Sequence, residues 1–381
     1  MKIGVTFGSD KHKEHAHVTG ILQNVVNLAT CLNNIHDVVL VNTVKDVDNT
    51  QKFKFNIYDY PIESFHQQIA DDTFDYDVLI ILGGEIMDID VDYIRNDYDT
   101  KIVYYNCSAK YQTHIIDIIF ERSAEDPEHM HRSVSQNYHE VWTIPQNYKV
   151  SSYFLDVIHN VKTKSIPFLY DPKFIDLGLN DIGSSFDEAA YMPNDKDSKR
   201  ISIMEPNRDW LKSFTHPLLI AESVFRREPN LISQISLNNL KVFKENSNLK
   251  AMLNKLEIWE NEKTTSYIND WFPVYEYLKD YTDVVVSHQW DNPLNYYYLD
   301  IAYLRYPLIH NAHMCKDIGY YYEGWDFKTA EDKLIEAIKF HDDNLELYDY
   351  QVDRILNRFS PNNEKTISTY KKLINNLFME V

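Results

Sequence analysis

An α/β protein of two doubly wound, Rossmann-like domains is what the sequence predicts, on three observations. Short apolar runs alternate with longer amphipathic stretches from the first residue, and the same alternation restarts after a polar stretch near the middle. The third is length: 381 residues, at roughly 100–200 per domain, leave room for two cores. Apolar runs without a polar face read as parallel strands covered by helices on both sides.

Taken in order, residues 3–7, 38–41, 78–82, 102–105 and 141–144 read as strands, and 21–32 as a helix with apolar positions at helical spacing. Residues 165–172 read as a connection. The polar stretch that follows, with Asn180, Gly183 and Pro193, delays the next strand to 201–204. The pattern then repeats: helix 216–227, a strand near 240–243, a helix around 271–280, strand 284–286, a helix through 294–304 and strand 308–309. Past Ser360 and Pro361, the residues Ile367, Tyr370, Leu373, Ile374, Leu377 and Phe378 make an apolar stripe at helical spacing. This predicts a helix packed back on the body in preference to a membrane-binding one. The expected division is residues 1–165, 166–360 and the returning helix 361–381.

Composition narrows the function classes. Hydrophobic residues at 44% and charged residues at 25% are ordinary globular usage, which excludes wholesale disorder. Thirty-eight Lys and Arg against 58 Asp and Glu leave a formal charge of −20, which disfavours broad electrostatic capture of nucleic acid or anionic lipid and leaves only a local basic groove for such partners. Cys31, Cys107 and Cys315 are too few and too scattered for a disulfide framework or a thiolate zinc site, and a reducing cytosol fits them best. The opening residues lack the apolar core of a signal peptide, and no run approaches the ~20 apolar residues of a membrane span, so a cytoplasmic location is expected.

Ligands of open α/β sheets bind at the carboxyl ends of the strands, so the loops after predicted strands are the candidate sites. After the first strand, Gly8 and Gly20 permit close backbone approach and His12, His15 and His17 crowd one loop beside Glu14. The spacing lacks a helical His pair with a supporting carboxylate, so a polar cleft wall is expected and no metal site. After residues 78–82, Gly83-Gly84-Glu85 sets a carboxylate at a strand end, where it could act as a general base or cap the next helix. After 201–204, Glu205-Pro206-Asn207 leads into Arg208 and Lys212, a place to meet a diphosphate with Lys212 as a point charge. After 284–286 comes Ser287-His288-Gln289-Trp290-Asp291-Asn292-Pro293-Leu294-Asn295. Pro293 is suited to the first helical turn, which would aim free N–H groups at an anion. Asp300, eight residues after Asn292, would share its helix face.

At these last two loops the chain resembles glycosyltransferases of the GT-B type, which have two Rossmann-like domains and bind a sugar nucleotide mainly through the second. Many carry two acidic residues eight apart, with Pro seven residues beyond the second. Asn292, Asp300 and Pro307 keep that spacing, with Asn in place of the first acid and without a Gly-rich loop. The whole chain also resembles a bacterial and phage family of GT-B-like proteins of unknown function. The marks are Tyr138-His139-Glu140-Val141-Trp142-Thr143-Ile144-Pro145-Gln146, Met204-Glu205-Pro206-Asn207 with Lys212, the 287–296 stretch, and Gly319-Tyr320-Tyr321-Tyr322.

The resemblance implies a deep interdomain cleft and a nucleotide-sugar-dependent glycosyltransferase acting without a metal or other cofactor on a UDP-linked donor. It implies a donor site of Glu205, Asn207, Arg208, Lys212, His288, Trp290, Asn292, Pro293, Leu294, Asn295 and Asp300. Glu85 and His17 are then candidate bases on the first domain, with Gly8, His15 and Gly84 on the acceptor side. The composition resembles that of large tailed phages, some of which glycosylate hydroxymethylcytosine in their DNA, so that base is one expected acceptor. A surface glycan is the other, and a non-catalytic sugar-binding or scaffold protein is the remaining alternative. A nicotinamide-dependent oxidoreductase would need G-x-G-x-x-G after the first strand, which Gly4, Gly8 and Gly20 do not supply.

Overall fold

The computed structural model describes residues 1–13, 19–84, 86–120, 134–194 and 196–379. The chain divides into two compact units: Met1–Phe174 together with Phe359–Val381, and Ile175–Arg358. The second is thus inserted into the first, whereas the sequence reading drew its first boundary at 165/166 and treated 361–381 apart.

Among the described residues the first unit has seven parallel strands: β1 (Lys2–Phe7), β2 (Asp37–Asn42), β3 (Ile62–Ser64), β4 (Val78–Ile81), β5 (Lys101–Asn106), β6 (Glu140–Thr143) and β7 (Thr163–Ser165). Their order is β3-β2-β1-β4-β5-β6-β7. Val78, Leu79, Ile80 and Ile81 are all buried, as a central strand covered on both faces requires. Helix Gly20–Asn33 covers one face; Thr19 caps it by accepting from the Leu22 N–H, and every residue from 22 to 32 is buried. Helix Glu364–Asn376 packs on that helix. Tyr370 and Ile374 are fully buried there, and the Tyr370 hydroxyl donates to the Pro167 carbonyl at 2.8 Å.

The 138–146 motif belongs to this architecture. Tyr138 stacks on Tyr104 at 5.4 Å, His139 Nδ1 accepts the Ile102 N–H at 3.0 Å, and Trp142 Nε1 donates to Glu140 at 2.7 Å. Pro145 opens helix Pro145–His159, where its missing N–H leaves no bond unmade.

In the second unit, again among the described residues, six parallel strands follow: β8 (Lys199–Ile203), β9 (Ile232–Leu237), β10 (Thr265–Ile268), β11 (Val284–Val286), β12 (Leu308–His310) and β13 (Tyr320–Tyr321). Their order is β10-β9-β8-β11-β12-β13. One predicted strand is corrected. Residues 241–243 form a 3-10 turn, because Asn239 adopts a left-handed φ of 60° and breaks the run; the strand lies earlier, at β9, where Ser233, Gln234 and Ser236 blur the apolar pattern. The 165–172 connection begins on the last residue of β7, which the sequence reading missed along with β3, β10 and β13.

In both sheets the winding reverses beside the first strand of the unit. β1 lies between β2 and β4, and β8 between β9 and β11. At such a reversal the flanking loops leave in opposite directions and open a crevice at the strands' carboxyl ends.

Candidate functional site

The crevice of the second unit lies beyond Ile203 and Val286, and three sequence-distant motifs converge there. Glu205, fully buried, accepts from the Ser287 hydroxyl on one oxygen and from Gln289 Nε2 on the other at 2.9 Å. Ser287 Oγ lies 2.7 Å from the Tyr298 hydroxyl. Tyr322, from the 319–322 motif, has its hydroxyl 2.8 Å from His288 Nδ1 and donates to the Ser287 carbonyl at 3.3 Å. Burial pushes the Glu205 carboxyl up to about 7, against the pull of Ser287, Gln289 and the Lys212 charge.

A carboxyl raised in the fold stabilises it fully below its ordinary value of 4.5, and that contribution is lost as pH rises through about 7. Over that window the loss is roughly 3 kcal/mol. Glu205→Gln is therefore expected to gain stability relative to the native chain between pH 5 and pH 8, by about that amount, in urea titrations. The Ser287 hydroxyl can rotate to accept from the new amide. Parallel pH profiles for the two proteins would refute the assignment.

Asn207 shapes the loop that carries Lys212. Its φ is 55°, its N–H donates to the Lys212 carbonyl at 3.0 Å, and its side chain donates to the Glu205 and Asn238 carbonyls while accepting from the Phe214 N–H. Lys212 in turn forms a single antiparallel bridge with Gln289, and the Trp290 N–H donates to the Leu211 carbonyl at 2.8 Å. Lys212 is half-buried as a residue, and its ammonium makes no ion pair within 4 Å among the described residues. Burial lowers its pKa while Glu205 and Asp209 raise it. Arg208 is exposed beside it.

Two expectations about the fourth loop need correction. The helix runs Tyr296–Tyr303 with Asn295 as its cap, the side chain accepting the Tyr298 N–H at 2.8 Å. Pro293 therefore precedes the cap instead of opening the helix, and its carbonyl accepts the Met314 N–H. Asn292 also lies outside the helix, so the eight-residue spacing to Asp300 does not place the two on one helical face. Asp300 is buried on the helix and Leu294 is buried beneath the loop. Asn292 and Asn295 both donate to the Gln289 side-chain oxygen, at 2.5 and 3.0 Å, so Gln289 ties this loop to Glu205.

His288 faces an aromatic cluster, with ring centroids 4.5 Å from Trp325, 5.0 Å from His216 and 5.4 Å from Phe327. Its Nε2 is buried without a hydrogen-bond partner among the described residues, and burial lowers its pKa to about 4. Trp290 and Trp325, each about half exposed, meet edge to face at 5.2 Å. They border a pocket of about 220 Å³ whose lining includes Gln289, Asn292 and Asn311. Trp325, Asn311 and Glu323 were missed by the sequence reading. Glu323 and Trp325 follow β13, which is two residues long and was not recognised as a strand, whereas Asn311 follows β12, which was recognised without its loop being taken as a site.

In the first unit Gly8 and Gly84 come together at the carboxyl ends of β1 and β4. A Cβ on Gly8 would lie 2.9 Å from Gly84 Cα. The close backbone approach at Gly8 is thus to Gly84, and the approach of a ligand to Gly8 and Gly20 stays an expectation of the sequence. His12 is satisfied by the Asp48 carbonyl at 2.9 Å and packs on Phe53. His15, His17 and Glu85 lie outside the described residues. Among the described residues no group of three or more His, Cys, Asp or Glu is gathered to hold a metal ion, and no helix is long and apolar enough to cross a membrane.

Several solved structures share this fold. An E. coli trehalose-6-phosphate protein bound with UDP-2-fluoro glucose aligns over 100% of both chains, with a TM-score of 0.59 at 11% identity. A glycosyltransferase from Rickettsia africae aligns over 100% of this chain and 99% of its own, with a TM-score of 0.56 at 11% identity. The trehalose 6-phosphate synthase of Burkholderia multivorans aligns over 98% and 97%, with a TM-score of 0.56 at 10% identity. The fold is therefore GT-B, as expected, built from two parallel-sheet α/β domains. A comparison with curated proteins finds no match. A profile for proteins of unknown function, DUF2827, matches residues 3–374, so the chain belongs to the DUF2827 family.

Proposed function

We propose that the protein is a nucleotide-sugar-dependent glycosyltransferase that binds a UDP-linked donor at the β8/β11 crevice. The observation that carries this reading is Lys212, whose backbone is held at the winding reversal by the Asn207 turn and the Gln289 bridge and whose ammonium makes no ion pair within 4 Å among the described residues. A cation at that place, only partly offset by Glu205 and Asp209, suits a diphosphate. The E. coli protein of the same fold was captured with a UDP-sugar analogue, which supports the choice of nucleotide.

The reaction is displacement at the anomeric carbon. The bond from that carbon to the diphosphate oxygen breaks, with its electron pair leaving on UDP, and a bond to an acceptor hydroxyl oxygen forms as that hydroxyl gives up its proton. Lys212 and Arg208 would stabilise charge developing on the leaving diphosphate. Asp300 is assigned to the donor ribose, and Glu85 or His17 to the acceptor proton. Of the two acceptor classes, a glycan is favoured over hydroxymethylcytosine DNA, because a chain of charge −20 gains little from a duplex outside a local patch.

Incubation with a panel of UDP-sugars, with and without glycan acceptors, tests the reading through release of free UDP. Saturable UDP binding by calorimetry and acceptor-stimulated release are expected. Mass spectrometry of nucleosides from hydroxymethylcytosine DNA in the same mixtures tests the other acceptor. A folded protein that neither binds UDP nor releases it from any donor would overturn the assignment.

A further inference from the structure

The pocket beneath Trp290 and Trp325 is not explained by the diphosphate reading. It is lined by neither Lys212 nor Arg208, and at about 220 Å³ it is smaller than the roughly 300–1,000 Å³ of sites that enclose a whole drug-sized ligand. One ring suits it better than an entire sugar nucleotide. Its walls combine two half-exposed indoles with the side chains of Asn292, Asn311, Asp291 and Glu323.

We propose that this pocket is a subsite for a neutral pyranose, and that its charge selects against sugars bearing a carboxylate or phosphate. Two features support the pyranose. The indoles are exposed yet held in place: the Trp290 backbone is fixed by its bond to Leu211, and the Trp325 ring is backed by His216, His288 and Phe327. A T-shaped pair leaves no slot for a base to slide between the rings, but each indole offers a π-face. The apolar C–H face of a pyranose meets such a face favourably, because the ring quadrupole is negative there. Amides and carboxylates around the rim then serve the hydroxyls. Asn311, whose own side chain is pinned by donating to the Gln289 carbonyl at 2.9 Å, is one such fixed group.

The selection follows from the ionisable lining. Asp291 and Glu323 are carboxylates, His313 is the one imidazole, and no Lys or Arg lines the pocket. Asp291 and Glu323 are exposed at the pocket wall, so their two negative charges repel a uronate or sugar phosphate modestly, and most at low salt. The pocket itself does not depend on the donor assignment. That assignment decides only whether the pyranose belongs to donor or acceptor.

The test is tryptophan fluorescence of the full chain titrated with methyl glucoside, methyl galactoside and methyl N-acetylglucosaminide, with glucuronate as the anionic probe, at low salt. Trp290→Phe and Trp325→Phe assign the signal among the six tryptophans. Saturable quenching by at least one neutral glycoside is expected. It should weaken roughly tenfold in Trp325→Ala or Trp290→Ala, each checked for native circular dichroism. Glucuronate should bind at least several-fold more weakly, and the combined Asp291→Asn and Glu323→Gln changes should close that gap. UDP and UDP-glucose calorimetry then locates the ring. If it is the donor's, Trp325→Ala brings UDP-glucose affinity down to that of UDP; if it is the acceptor's, UDP-glucose affinity is unchanged. Absence of saturable quenching by any neutral glycoside, or glucuronate binding equal to glucoside, would overturn the proposal even if UDP binds. Glycoside binding without UDP binding would leave it standing and sink the donor assignment instead.

Discussion

Replacing Lys212 by alanine is expected to lower turnover on the nucleotide-sugar donor by roughly ten- to a hundredfold. A charge-assisted hydrogen bond to phosphate contributes about 1.5–3 kcal/mol, and it acts on rate to the extent that it strengthens as negative charge collects on the leaving group. The same change deprives Glu205 of the positive charge that helps hold its pKa down, so the carboxyl should titrate still higher in the variant. That second effect gives an internal control: the pH dependence of stability shifts even if the donor never touches residue 212. Lys212→Arg should recover only part of the rate, since a planar fork replaces a compact ammonium in a loop fixed by the Asn207 turn. Steady-state UDP release by folded variants decides the matter. Unchanged donor kinetics in Lys212→Ala would remove this residue from the chemistry.

The largest expected loss of stability comes from Gly84→Ala. The Gly84 backbone sits at φ +77°, and an added Cβ would lie 2.1 Å from Thr43 Oγ1 and 2.8 Å from the Phe7 carbonyl group. The left-handed conformation alone costs an L-residue roughly 1–2 kcal/mol, and forcing a methyl into a filled space adds about 1–3 kcal/mol more. The Phe7 atoms are backbone within β1 and cannot swing away. A destabilisation of about 2–5 kcal/mol in urea titration is therefore expected, and a change under 1 kcal/mol would show that the β1 and β4 ends separate easily. Gly183→Ala is the matched comparison. It too has positive φ, at 69°, but open space where the Cβ would go, so it isolates the conformational part.

The contrast between these two sites shows what a sequence can and cannot carry. β8 and β11 were legible because their apolar cores end abruptly in polar residues, so the rule that ligands meet strand ends pointed straight to Glu205, Lys212 and the 287–295 loop. Their joining through Gln289 was not legible, since Gln289 acts by spanning from the Glu205 carboxylate to the two asparagines of its own loop, a relation only the folded chain creates. Pro293 misled because a proline after a strand fits a helix start equally well at several positions, and the cap chemistry of Asn295 decided the register. Trp325 was invisible for a third reason: the strand before it, β13, is too short to leave a period-two signature. The alternation that predicted two Rossmann-like units survived these local errors because it rests on many apolar runs and not on any single one.

The insertion of the second unit within the first sets an order of events on the ribosome. Helix Glu364–Asn376, which buries Tyr370 and Ile374 against the helix after β1, is made only after all of Ile175–Arg358 has been synthesised. At elongation rates of about 5–20 residues per second, the first sheet waits on the order of ten to forty seconds for this covering helix. During that interval the second unit, whose residues are contiguous, has its complete complement of strands and helices first. The first unit, though it begins at the amino terminus, is the later of the two to close.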